Sequence, residues 1–121
     1  MARILLADDD KSTRDLVHRA LEMDGHQVHL AEDGTDAWSA FQAAPTAFDL
    51  VISDVEMPGT DGVTVAKNVL AASPAVKVLL MSGFTDALDR ARGLGPGRFD
   101  VLPKPFTLEQ IRRSIKTVLE G

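Results

Sequence analysis

Near its start the chain reads Ile4-Leu5-Leu6-Ala7-Asp8-Asp9-Asp10, four apolar residues followed directly by three aspartates. A continuous apolar run of this kind predicts a strand that is buried on both faces, as the strands of parallel sheets are. Leu50-Val51-Ile52 repeats the pattern and ends at Ser53-Asp54. Two buried strands, each followed by an acidic residue, indicate a sheet whose polar residues gather where the strands end.

Short apolar runs alternate with segments of helical periodicity along the rest of the chain. Strands are predicted over residues 4–7, 27–30, 50–52, 76–81 and 101–102, the second of them edge-like because its residues alternate in polarity. Apolar stripes predict helices around residues 16–21, 37–41, 65–70 and 108–119, and a poorly specified helix over 86–92 stops before the glycine-rich stretch 93–97. Five strands in strict alternation with five helices predict an α/β fold, an open parallel sheet with helices on both faces.

Three helix ends carry recognisable capping residues. Asp10 is expected to cap the first helix, and Gly25 to end it in a left-handed conformation. Thr107 and Gln110 have the spacing of a capping box at the start of the last helix.

Composition narrows the class of protein. The 121 residues are expected to form one domain, residues 1–121, with no output domain in the chain. A net charge of −5 disfavours nucleic acid as a partner, and the lack of cysteine excludes disulfides and thiolate chemistry. No apolar run approaches the length of a membrane span, so a cytoplasmic protein without a membrane partner is expected.

Chemically active residues follow four of the predicted strands. They are Asp8, Asp9 and Asp10 after the first strand, Asp54 after the third, Ser82 after the fourth and Lys104 after the fifth. Ligands of open α/β sheets bind at the carboxyl ends of the strands, where these residues are expected to meet. Clustered carboxylates need a compensating cation, and hard oxygen ligands suit Mg²⁺. An aspartate nucleophile beside a metal and a lysine can accept a phosphoryl group as an acyl phosphate.

Four segments of the chain resemble those of the response-regulator receiver domains, the CheY-like family, in order and at suitable spacing. They are the first strand with its acidic residues (4–10), the segment Ile52-Ser53-Asp54-Val55-Glu56-Met57-Pro58-Gly59-Thr60-Asp61-Gly62, and the pair of motifs Met81-Ser82-Gly83 and Lys104-Pro105-Phe106. The resemblance covers essentially the whole chain. It implies a (βα)5, flavodoxin-like sheet of strand order 2-1-3-4-5.

The same resemblance implies a role for each site residue. Asp54 would be the phosphoacceptor. Asp9 and Asp54 would bind Mg²⁺ directly, together with the backbone carbonyl of Glu56, while Asp8 would act mostly through a bound water. Ser82 and Lys104 would each bind a phosphoryl oxygen.

The function implied is a switch in a two-component phosphorelay and not an enzyme with a separate substrate. The phosphodonor would be a sensor histidine kinase or a histidine phosphotransfer protein, and phosphorylation would change the binding of a downstream target protein. A monomer or weak dimer is expected. The ending around Lys104 is also similar to receivers of hybrid cell-cycle kinases and to single-domain CpdR-like regulators of alphaproteobacteria.

Three further details concern positions around the site where the family has characteristic residues. Val101 occupies the position three residues before the lysine where the family commonly has Tyr or Phe. Phosphorylation would therefore be signalled by Ser82 and its loop without an aromatic switch, or with Phe84 or Phe99 substituting for it. Glu56 and Phe84 flank the site at positions that tune phosphoryl lifetime in the family. The Lys104-Pro105 peptide bond is expected to be cis.

Two other functions compete with this interpretation. Asp8 and Asp10 have the Asp-x-Asp spacing of phosphohydrolases of the haloacid-dehalogenase type, in which Asp8 would be phosphorylated. That hypothesis leaves Asp54 to Pro58 unexplained and requires a cap for which the chain has no room. The second alternative is an adaptor module that works without phosphorylation. The three histidines lack ligand spacing, so metal binding by them is not expected.

Overall fold

The computed structural model describes residues 2–57, 59–73, 75–83 and 99–120. The strands are β1 (Arg3–Ala7), β2 (Gln27–Ala31), β3 (Leu50–Asp54), β4 (Lys77–Ser82) and β5 (Phe99–Pro103). The helices are α1 (Lys11–Met23), α2 (Gly34–Ala43), α3 (Gly62–Ala72) and α4 (Leu108–Glu120). The helix predicted over 86–92, the glycine-rich stretch 93–97 and Phe84 lie outside the described residues.

All five strands pair in parallel in the order β2-β1-β3-β4-β5, which confirms the predicted fold class and strand order. β1 and β3 lie next to each other at the centre, with Ile4 opposite Leu50 and Leu6 opposite Ile52. β2 lies at one edge and is mostly exposed, as its alternating polarity predicted.

Alternate residues of the central strands face opposite layers of helices. Leu5 and Ala7 belong to a buried cluster that also contains residues of α2 and α3, whereas Ile4 and Leu6 belong to a second cluster with residues of α1 and α4. Both faces of the sheet are therefore covered. This explains why β1 reads as an unbroken apolar run, since each face of the strand meets a hydrophobic layer. Within the described residues, no helix is long and apolar enough to cross a membrane.

The caps match the sequence prediction. Asp10 accepts a hydrogen bond from the backbone N–H of Ser12, and Gly25 ends the α1 region with a φ of 77°. The Thr107 backbone donates to Gln110 Oε1 at 2.8 Å, and the Gln110 backbone donates to Thr107 Oγ1 at 3.1 Å, which completes the capping box. These caps satisfy backbone groups that the helix ends leave unpaired.

Every strand differs from the predicted bounds by one or two residues at one end or both, and β4 and β5 differ at both ends. β5 extends over five residues where only 101–102 were predicted, and β4 runs from Lys77 to Ser82 instead of from 76 to 81. The physical reason is that pairing follows the backbone and not side-chain polarity: Phe99 lies opposite Val78, and Lys77 opposite Leu50.

The loop after β3 is held by close backbone contact. Gly62 donates its N–H to the carbonyl of Val55 at 2.9 Å, and a Cβ at Gly62 would overlap the carbonyl oxygen of Asp54. Only glycine fits at this approach. The start of α3 is thereby fixed against the end of β3, where the candidate site begins.

Candidate phosphoacceptor and metal site

The carboxyl ends of four adjacent strands bring the predicted site residues together. Asp8 directly follows β1, Asp54 and Ser82 are the last residues of β3 and β4, and Lys104 directly follows β5. Asp8, Asp54 and Ser82 are buried, with 0%, 6% and 3% of their surface exposed. The backbone N–H of Lys104 donates to the carbonyl of Ser82 at 2.7 Å, which fixes the two segments against each other. The Lys104-Pro105 peptide bond is cis, as predicted.

Lys104 makes ion pairs with two buried carboxylates. Its Nζ lies 3.3 Å from Asp8 Oδ2 and 3.2 Å from Asp54 Oδ1. Burial acts to lower the pKa of Lys104, but the charges of Asp8 and Asp54 outweigh it and raise that pKa. The ammonium group is therefore charged and shared between the two aspartates.

The carboxylate of Asp9 lies close to those of Asp8 and Asp54. One oxygen each from Asp8, Asp9 and Asp54 lies within 4.8 Å of the others, and Asp9 is exposed. Burial, and next the charge of Asp8, raises the pKa of Asp54 to about 6. Burial also raises the pKa of Asp8. One ammonium group thus leaves excess negative charge in a partly desolvated site.

This donor set fits Mg²⁺. The ion prefers oxygen ligands and commonly binds proteins through one or two carboxylates. Asp9 makes no hydrogen bond or ion pair with the residues that the structure describes, so its carboxylate is available to a cation. Three carboxylates beside one lysine carry net negative charge, which favours the binding of a divalent cation at this site.

Asp8 is held more firmly than the other two carboxylates. Its Oδ1 accepts the backbone N–H of Asp10 at 2.9 Å, and its Oδ2 contacts Lys104. The Arg14 guanidinium donates to the backbone carbonyl of Asp8 at 2.8 Å. Sequence reasoning missed Arg14; the available signal was an arginine in the first turn of the helix that follows the acidic residues.

The hydroxyl of Ser82 is bonded to Glu56. Ser82 Oγ donates to Glu56 Oε1 at 2.6 Å and lies 3.3 Å from Oε2 of the same carboxylate. Sequence reasoning singled out Glu56 for its backbone carbonyl and for its place beside the site, but not for this side-chain contact. The signal was present, because Glu56 follows the end of β3 by two residues and Ser82 ends the adjacent β4.

Val101 lies opposite Leu80 in the sheet and is partly buried. It packs, with Phe99, against the hydrophobic cluster on the α2–α3 face. The position where the family commonly has an aromatic residue therefore holds an aliphatic side chain that packs against the core. Of the two aromatic substitutes considered, only Phe99 is among the described residues.

Comparison with known proteins agrees with this geometry. A sequence model of the family described as "Response regulator receiver domain" matches residues 4–116. The chain belongs to the response-regulator receiver family. It is a receiver domain of a two-component system, and receiver domains bind Mg²⁺ through acidic residues. Members of the family typically act as phosphorylation switches.

Individual relatives place this receiver among bacterial proteins. It is 34% identical over 117 residues to the response regulator MprA of Mycobacterium sp. (strain KMS), which covers 97% of this chain and 50% of MprA. The chain thus spans about half the length of the curated relatives it matches.

Solved receiver structures superpose closely on this one. The chemotaxis response regulator CheY4 of Vibrio cholerae gives a TM-score of 0.84 at 30% identity, with 98% of each chain covered. The receiver domain from the hybrid histidine kinase CckA gives 0.81 at 30% identity, with 97% of this chain and 98% of that chain covered. Equal identity to these two structures favours neither subtype, so the narrower similarity to hybrid-kinase and CpdR-like receivers stays a prediction.

Proposed function

We propose that this receiver domain accepts a phosphoryl group on Asp54 from a phosphohistidine of a sensor histidine kinase or histidine phosphotransfer protein. The observation that carries the proposal is the shared ion pair of Lys104 with Asp8 and Asp54 at the ends of three strands. Phosphorylation would then change the contacts of the domain with a downstream target protein. Membership of the receiver family supports this assignment.

The reacting group is the Asp54 carboxylate. One of its oxygens attacks the phosphorus in line, an O–P bond forms, and the P–N bond breaks with its electron pair returning to the imidazole nitrogen. The imidazole takes up one proton from solvent. The products are an acyl phosphate and a neutral histidine. Because the pKa of Asp54 is raised only to about 6, most of the carboxylate is ionised and nucleophilic at neutral pH.

Lys104 is the group best placed to receive the phosphoryl oxygens. The Lys104 ammonium lies 3.2 Å from Asp54 Oδ1, so it remains adjacent when the Asp54 carboxylate is phosphorylated. Ammonium groups stabilise the negative charge that the transferring phosphoryl carries. We assign Ser82 to a second phosphoryl oxygen, because its hydroxyl lies at the end of the neighbouring strand.

Mg²⁺ would be held by Asp9, Asp54 and the backbone carbonyl of Glu56, with Asp8 acting through water. This assignment suits the contacts of Asp8, whose two carboxylate oxygens already bind the Asp10 backbone and Lys104. When bound, the ion supplies positive charge that offsets the phosphoryl oxygens and the carboxylates.

The remaining parts of the proposal come from the sequence. Residues 1–121 form one receiver domain, which assists only its own phosphorylation and dephosphorylation and is not an enzyme for a separate substrate. A cytoplasmic location, a monomer or weak dimer, and the absence of nucleic-acid and membrane partners stay predictions.

The phosphohydrolase alternative would require Asp8 as the nucleophile. Asp8 is fully buried, and both of its carboxylate oxygens are bonded. Asp54, in contrast, has one oxygen in the ion pair with Lys104. These contacts favour Asp54.

The test is incubation with acetyl phosphate, with and without Mg²⁺, followed by intact-mass measurement. We expect a Mg²⁺-dependent phosphoryl adduct in the wild type and in the control variant Asp15→Ala, which changes an exposed carboxylate of α1. The adduct should be lost in Asp54→Ala. An adduct that survives Asp54→Ala but is lost in Asp8→Ala would establish the phosphohydrolase chemistry instead. No adduct from acetyl phosphate or from a phosphorylated histidine kinase would leave the phosphorylation-independent adaptor.

A further inference from the structure

The Ser82 hydroxyl has one proton to donate, and in this structure it goes to Glu56. The 2.6 Å distance to Glu56 Oε1 lies in the range of short, charge-assisted O–H···O⁻ bonds. A serine hydroxyl carries a single donor, so it cannot donate to Glu56 and to a phosphoryl oxygen at the same time. Glu56 and the phosphoryl group on Asp54 therefore compete for one proton.

The backbone of Ser82 is fixed in the sheet, so a change of hydrogen-bond partner at Ser82 involves its side chain. Ser82 lies opposite Pro103 in the sheet, and its carbonyl accepts the Lys104 N–H at 2.7 Å. Ser82 is also 3% exposed, so water does not readily replace Glu56 as the acceptor. Breaking this bond inside a partly desolvated site costs more than breaking it on the surface.

We propose that Glu56 is a positioning residue that holds the Ser82 hydroxyl away from the phosphoryl site and so opposes the phosphorylated conformation. The inference rests on the proposed function, because it assigns Ser82 to a phosphoryl oxygen. Glu56 then sets how far phosphorylation shifts the domain, since part of the binding free energy of the phosphoryl group is spent on releasing Ser82.

Glu56 also carries a negative charge close to Asp54, and this second effect must be separated from the first. Charge repulsion acts on the phosphoryl group whether or not Ser82 has a hydroxyl. Competition for the proton needs that hydroxyl. A double-mutant cycle between positions 56 and 82 isolates the competition, because the charge effect cancels.

The probe is beryllofluoride, a phosphoryl analogue that binds an aspartate carboxylate, titrated calorimetrically in the presence of Mg²⁺. The four proteins are the wild type, Glu56→Ala, Ser82→Ala and the double variant. We expect Glu56→Ala to raise the affinity by a factor that is on the order of tenfold larger when Ser82 is present than when it is alanine. Glu56→Gln keeps an acceptor oxygen but loses the charge assistance, so the difference between its effects in the two backgrounds should be smaller than that of Glu56→Ala.

Equal factors for Glu56→Ala in the two backgrounds, with beryllofluoride still bound in a manner that needs Asp54, would overturn the competition and leave the proposed function intact. Beryllofluoride that binds none of the four proteins, or that binds Asp54→Ala as well as the wild type, would overturn the proposed function and the competition together. Thermal unfolding of each variant verifies that it is folded during the titration.

Discussion

Replacing Asp54 by asparagine is expected to stabilise the metal-free domain. Folding places this carboxylate in a buried site beside Asp8, which raises its pKa from 3.8 to about 6. At 1.36 kcal/mol for each pKa unit, ionised Asp54 opposes folding by about 3 kcal/mol at neutral pH. Asparagine keeps the size of the side chain and removes the charge, so we expect a gain of about 1–3 kcal/mol in the free energy of unfolding.

The pH dependence of this effect has a definite sign. Between pH 3.8 and about 6 the folded state holds more protons on Asp54 than the unfolded state does. The contribution of this carboxyl to stability is therefore fully present below pH 3.8 and is lost as the pH rises through about 6. The advantage of the asparagine variant should be largest above pH 7 and should shrink as the pH is lowered.

The assay is urea unfolding at several pH values, in EDTA and in excess Mg²⁺. A cation that binds only the folded state should stabilise the wild type and reduce or reverse the advantage of Asp54→Asn. Asp15→Asn is the matched control, because Asp15 is exposed and forms an ion pair with Lys11 at 3.2 Å on the surface of α1. Its effect on the free energy of unfolding should stay within about 0.5 kcal/mol. An Asp54→Asn variant that is no more stable than the wild type in EDTA at pH 8 would refute the reasoning.

Three further predictions concern stability. Gly62→Ala should destabilise the domain by about 1–3 kcal/mol in urea unfolding, because the added Cβ would overlap backbone atoms of Asp54 and Val55. Gly83→Ala should change stability little, because among the described residues the atom nearest to its Cβ is Lys104 Cβ at 4.0 Å; equal effects of the two variants would contradict this contrast. Burial lowers the pKa of His26, whose Nδ1 accepts the Ala2 N–H at 3.0 Å, so its contribution to stability should be lost as the pH falls below 6.5; an NMR titration that gives a pKa of 6.5 or higher would count against it. Phe41→Ala should cost about 3–5 kcal/mol, since that ring is fully buried between α2 and the sheet, and a loss below 1 kcal/mol in urea unfolding would show that the cluster is loosely packed.

The sequence predicted the central strands well and the edge strand β5 poorly. β1 and β3 are covered by helices on both faces, so burial imposes an unbroken apolar run that can be read directly. In the part of the chain that the structure describes, β5 pairs only with β4, and none of its residues is fully buried. No unbroken buried apolar run therefore marks the ends of this strand. Its extent depends on backbone pairing, which residue types do not encode.

For the site, too, the sequence predicted some features and missed others. The convergence of Asp8, Asp54, Ser82 and Lys104 could be predicted, because the ends of adjacent parallel strands meet at one edge of the sheet. For the contacts of Arg14 with Asp8 and of Ser82 with Glu56, the sequence indicates that the residues lie close together. Which atoms bond depends on how individual side chains rotate once the backbone is in place. The order of strands and helices therefore predicts which residues lie close together, and the structure adds which hydrogen bonds each side chain makes.

The bond between Lys104 and Asp8 joins residues 96 positions apart in the chain. Contacts of such sequence separation close the largest loops and form only when most of the sheet has assembled. A chain in which β5 has not yet docked has no ammonium beside its aspartates, so it offers a phosphodonor an uncompensated cluster of negative charge. Under the proposed function, the ability to accept a phosphoryl group would thereby depend on the docking of β5.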